Sequence, residues 1–199
     1  MKHTQLTAPE GGTHWRRFAA ITVVATVVVA AIGVSIDAGA VPVTFSVSGS
    51  QFKVTALHLH GTNFVQYGGI VQEKNGTPHT VAVSQISEAD LTSLCQSVDQ
   101  STPIGTVVLK LTAGDNGTPA HASNLLIDMS QLSGDATFTR IDIGQDASDL
   151  SPSGPPGGFG QSADIVDIDN LVQVSWATTA GTFTLPHLNL RLGGVGTEC

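Results

Sequence analysis

From residue 43 onward, apolar and polar residues take turns. Val43-Thr44-Phe45-Ser46-Val47 alternates strictly, and Phe52-Lys53-Val54-Thr55-Ala56-Leu57-His58-Leu59 continues the pattern. A period of two puts every second side chain on one face, so these runs predict half-buried β-strands. Further candidates fall at 107–112, 122–128, 136–143, 163–169, 171–178, 181–185 and 187–192. Between them lie turn signals. Gly68-Gly69 and Glu73-Lys74-Asn75-Gly76 mark turns, and Asn-Gly favours a tight hairpin because both residues tolerate positive φ. Gly114-Asp115-Asn116-Gly117 ends another strand, and Ala180-Gly181 between two Thr-rich runs reads as a hairpin. Residues 151–160, SPSGPPGGFG, predict an irregular loop, because proline lacks the amide donor and glycine lacks restraint.

One segment breaks the period of two. Ser87-Glu88-Ala89-Asp90 offers a cap and first-turn acids, and Leu91, Leu94, Cys95 and Val98 follow at helical spacing. This predicts one short α-helix, closed by Thr102-Pro103. The expected fold is mainly β: an all-β sandwich or curved-sheet, barrel-like domain with that single short helix.

The N-terminus is different again. Residues 18–36, FAAITVVATVVVAAIGVSI, carry no charge, and Trp15-Arg16-Arg17 precede them. As a helix the run spans about 28 Å, close to the hydrocarbon thickness of a bilayer. The basic flank predicts a cytoplasmic N-terminus over 1–17, a transmembrane anchor or signal segment over 18–40, and an extracytoplasmic β-rich domain over 41–199. Run length points to an uncleaved anchor, whereas Ala38-Gly39-Ala40 points to signal-peptide cleavage near Ala40. Both readings export the domain.

Composition agrees with export. Apolar residues make up 41% of the 199-residue chain and charged residues only 12%, about half the charge of an ordinary cytosolic domain. The formal net charge is −8, and beyond residue 40 the only basic residues are Lys53, Lys74, Lys110, Arg140 and Arg191. No basic patch exists to neutralise phosphates, so no nucleic-acid partner is expected. The expected partners are the membrane through the N-terminal segment, a lipid, and a second copy or another envelope protein. Cys95 and Cys199 are the right number for one disulfide in an exported chain, closing a very long loop.

Candidate chemistry is sparse. His58 and His60, in ALHLHG, would project from one strand face and could offer two imidazoles to a metal. His79, His121 or His187 would have to complete the set, and no spacing selects among them. A polar strand face is the alternative, with Gly61 ending the strand. Asp164, Asp167 and Asp169, with Asp142, Asp146 and Asp149, lack the calcium-loop pattern and read as solvated strand faces. Ser50-Gln51-Phe52-Lys53 matches S-x-x-K but sits in a strand pattern, and no G-x-S-x-G or nucleotide-binding glycine loop occurs. No cofactor, metal or catalytic residue is expected.

The blocks FVQYGG, LCQSV, IGQDAS, GGFGQSAD and TAGTFTLPHLNLRL, with the terminal Cys199, carry a resemblance. Over residues 16–199 the chain resembles an actinobacterial family of exported proteins with one N-terminal hydrophobic segment, some of which are labelled cholesterol esterase. The resemblance implies an envelope setting and a lipid connection. The label implies a lipid or sterol ester hydrolase, for which these blocks supply no nucleophile motif. The residues themselves lead first to a noncatalytic envelope protein that takes a lipid or other apolar ligand in a groove of the sheet. Exposed strand edges would suit a structural or assembly component.

Overall fold

The computed structural model describes residues 46–103 and 105–199. The expected N-terminal segments over 1–17 and 18–40, and the strand opening at Val43, lie outside the described residues, apart from Ser46 and Val47. Alternation has become strand throughout the rest. The elements are β1 (Phe52–Gln72), β2 (Pro78–Thr92), β3 (Leu94–Thr102), β4 (Gly105–Ala113), β5 (Ala120–Thr139), β6 (Asp142–Asp146), α1 (Ala147–Leu150), β7 (Phe159–Thr179), β8 (Thr182–Thr184) and β9 (Asn189–Gly193). The protein is mainly β, built on one curved sheet.

Every pairing between strands is antiparallel. β1 pairs β2, β2 pairs β5, β5 pairs β7, and β7 pairs β1 again, so four long strands close into a ring. The remaining strands extend it. β3, β4 and β9 form a leaf that grows from the start of β1, β6 lies on β7, and β8 lies on β5. The main core fills the ring: Val54, Leu59, Phe64, Ile86, Leu91, Leu125, Ile127, Val166, Ile168 and Leu171 are all buried in one cluster.

Four strands can close only if each bends sharply, and asparagine supplies the bends. Asn63, Asn124 and Asn170 sit inside strands with φ of 52°, 48° and 53°, the left-handed region that asparagine tolerates better than other non-glycine residues. Asn63 falls opposite Ser87, between the pairs Thr62–Glu88 and Val65–Gln85. Ser87 in turn falls opposite Asn124, between Ile86–Leu125 and Glu88–Ser123. The bends therefore line up across three strands as a corner. At each bend the inward positions change parity, as in β1, where Ala56, Leu59 and Phe64 are all buried.

This corrects several sequence expectations. The helix over 87–98 does not form. Ser93, at φ 53°, turns β2 into β3, so Leu91 and Leu94 share the inner face at three-residue spacing. That bend imitates a helical period, and Cys95 points away from Leu94. The one helix among the described residues is the single turn α1, capped by Asp146, whose carboxylate accepts from the Ser148 amide. Gly68-Gly69 is no turn, because β1 runs through it to Gln72. Gly61 does not end the strand either. It is buried, and a Cβ there would meet Ile86 Cγ2 at 2.8 Å and Val166 Cγ1 at 3.0 Å, so glycine lets three strands approach one another. The Ala180-Gly181 hairpin is absent as well. Thr179 pairs Leu126 and Thr182 pairs Ser123, so β8 continues the line of β7 along β5. The Asn75-Gly76 turn does join β1 to β2, with Gly76 at φ 91° and its amide donating to the Glu73 carbonyl.

Candidate functional site

The ring opens where β2 leaves β1 and the leaf takes its place. Phe52 pairs both Ser175 of β7 and Val98 of β3, and Val54 pairs both Gln173 and Gln96. Residues opposite one another share a face, so the inner wall of the ring runs straight onto one face of the leaf. On that face Val98 is followed by Leu109 and Leu192, and Gln96 by Leu111 and Leu190. Leu190 and Leu192 are 60% and 74% exposed.

At this mouth lies a groove of about 360 Å³, lined by Val47, Phe52, Gln96, Trp176, Thr178 and Phe183 among others. Gln96, Thr178 and Phe183 also border a narrow space of about 30 Å³ reaching in among Val54, Leu59, Leu91 and Leu125. The floor is polar at one point, where buried Gln173 donates from Nε2 to the Ser175 hydroxyl over 2.7 Å. The wall is held from behind. The His79 ring stacks on Trp176 with centroids 3.7 Å apart, and His79 Nε2 lies 2.8 Å from Glu73 Oε1. Both His79 and Glu73 come from the β1–β2 hairpin region. Ala177, another lining residue, pairs Asp128, whose carboxyl burial pushes above its ordinary range.

The other leaf face is covered. Lys53, Ser97, Lys110 and Arg191 form one row across β1, β3, β4 and β9. The C-terminal tail lies along it: the Cys199 amide donates to Ser97 Oγ, Lys53 Nζ to the Cys199 carbonyl, and Lys110 Nζ to the Glu198 carbonyl. A Cβ on Gly193 would meet Thr197 Oγ1 at 2.5 Å, so the tail packs onto the strand itself. Cys95 and Cys199 are joined, with Cα atoms 5.8 Å apart. Cys95 reaches the tail from β3, on the face opposite Leu94, rather than from a helix. Lys53 is thereby occupied, which removes the S-x-x-K reading.

The histidine pair follows the polar-face reading: His58 and His60 share the outer face of β1, where they meet carboxylates from β7. His58 Nδ1 donates to Asp169 Oδ1 over 2.8 Å, and His60 Nδ1 to Asp167 Oδ1 over 2.7 Å. His121 lies on the same outer face and donates to Asp90 over 2.8 Å, with Glu88 at 3.0 Å from Nε2. The Asp90 hydrogen bond, reinforced by the Asp90 and Glu88 charges, holds the His121 imidazole above its ordinary value against an opposing desolvation effect. His187 donates to the Asp115 carbonyl over 3.2 Å. Among the described residues, no group of three His, Cys, Asp or Glu side chains is placed to hold a metal ion.

Two further acids hold local structure. Asp164 pairs with Arg140. The hydroxyl and amide of Ser148, with the Gly157 amide, keep the Asp146 carboxyl below its ordinary range. Sequence reasoning missed Phe52, Gln96, Trp176 and Phe183 as a set. Their spacing carries no motif, and only the closure of the ring brings them together.

The fold and this groove define a mainly-β protein whose open-ended sheet presents a mouth of mixed apolar and polar lining. Residues 48–199 match the family of unknown function DUF6230, and the chain belongs to that family. No curated protein and no solved structure matches it. Among the described residues, no helix is long and apolar enough to cross a membrane.

Proposed function

We propose that the protein is a noncatalytic module of the cell envelope that seats an acyl chain or similar apolar ligand in the groove at the ring's mouth. The observation that carries this reading is the continuity of the lining. Core-facing Phe52 and Phe183 line the groove together with Trp176, and the face that Phe52 shares with β3 runs on to leucines that remain exposed on the leaf. A volume of about 360 Å³ lies within the range of small-molecule sites, and barrel mouths are a recurrent place for them. The polar groups Gln96, Gln173 and Ser175 near the entrance suit the polar end of an amphipathic ligand.

The uncharged run at 18–36 supports an extracytoplasmic reading, either tethered or released, within reach of lipid. An ester hydrolase would need an activated nucleophile. The five described histidines bond carboxylates or a carbonyl, and none bonds a serine hydroxyl. Native mass spectrometry of protein purified from a membrane-containing host tests the proposal. A bound adduct that organic extraction identifies as lipid is the expected result. A clean apo mass that stays unchanged after incubation with fatty acid would reject it.

A further inference from the structure

The outer face of the ring carries a continuous polar row. Thr137 of β5 pairs Asp167 of β7, Asp167 pairs His60 of β1, His60 pairs Asp90 of β2, and Asp90 pairs His121, again of β5. The row thus crosses every strand of the ring and returns to the strand it left. Acid and imidazole alternate along it. A second, shorter row beside it joins Asp135 of β5, Asp169 of β7 and His58 of β1.

All the ionisable groups that face these imidazoles are acidic or are other imidazoles. β7 contributes Asp167 and Asp169, β2 contributes Glu88 and Asp90, β5 contributes Asp135 and His121, and β8 offers only the uncharged Thr184 opposite His121. With neutral imidazoles the rows hold neighbouring carboxylates with no cation between them. With protonated imidazoles they become alternating charges on adjacent strands, an arrangement that stabilises cross-strand pairs.

We infer that these rows are a pH-responsive clasp centred on His121: its protonation between Asp90 and Glu88 binds β5 to β2 more tightly as the surroundings acidify. The sign follows from linkage. His121 has its proton affinity raised in the folded protein. The stability it contributes is complete below the ordinary histidine value of about 6.5 and is lost as pH rises through the raised value. These side chains are about half exposed, so screening keeps the effect modest, and salt should weaken it.

The test is thermal unfolding of the whole chain at pH 6 and pH 8 at equal ionic strength. The expected Tm is about 2–4 °C higher at pH 6, a shift typical of a small stabilisation in a domain of this size. The variant H121Q should lose that rise, since glutamine keeps a donor but cannot gain the charge. A flat or falling Tm in the unmodified protein, or an equal rise in H121Q, would overturn the clasp. Should H121Q fail to fold, imidazole titration by NMR on the unmodified protein decides. A His121 midpoint above 6.5 supports the clasp, and one at or below 6.5 refutes it.

Discussion

The ring and the leaf share β1 but are held by opposite means. In the ring, each of the four long strands has a paired neighbour on both sides, and the space they enclose is filled by their own aliphatic side chains. The leaf encloses little by comparison, with Val108 its largest fully buried side chain. One face carries exposed Leu109, Leu190 and Leu192, and the other is secured by a tail, two lysines and a disulfide. A three-strand extension cannot bury both its faces, so a covalent clip supplements its small core. The difference shows where function can reside. The ring's interior is committed to packing, whereas the leaf and the mouth it frames leave apolar surface unoccupied.

Two changes would break this contrast. The larger acts on the ring. Leu171 is 1% exposed at its centre, and Leu171→Ala should cost about 2–5 kcal/mol in denaturant unfolding, the ordinary cost of a buried leucine cavity. The loss should appear in all strands at once. Cys199→Ser comes next, at about 2–4 kcal/mol for a native disulfide closing a long loop. Its signature should be regional: amide protection lost in β3, β4 and β9 and retained where β1 pairs β7. Global unfolding in the cysteine variant would mean that the ring does not stand without the leaf.

Much of the fold was legible in the chain. Strict alternation identified strands because half-buried sheet faces impose a period of two, and the turns at Asn75-Gly76 and Asn116-Gly117 followed from their residues, whereas Gly68-Gly69 and Ala180-Gly181 made none. What misled was the same alternation interrupted. At Ser93 a left-handed residue shifted parity and gave Leu91 and Leu94 a helix-like spacing, and at Asn170 two apparent strands proved to be one. The disulfide was legible from the cysteine count under the expectation of export, although the face that Cys95 occupies was not. His58-x-His60 was rightly read as a shared face. Asp167-x-Asp169 has the same spacing, but nothing local says that β7 lies opposite β1. The groove was least visible, since Phe52, Gln96, Trp176 and Phe183 converge only through long-range pairing.

The most direct test of the mouth uses Trp176, which lines it. The chain has two tryptophans, Trp15 and Trp176, so in a Trp15→Phe background the emission reports Trp176 alone. Titration with a bromine-labelled fatty acid should quench that emission saturably, and Phe183→Asp should abolish the quenching while leaving the melting temperature within a few degrees. Unquenched emission, or quenching that Phe183→Asp leaves unchanged, would contradict an apolar chain in this groove.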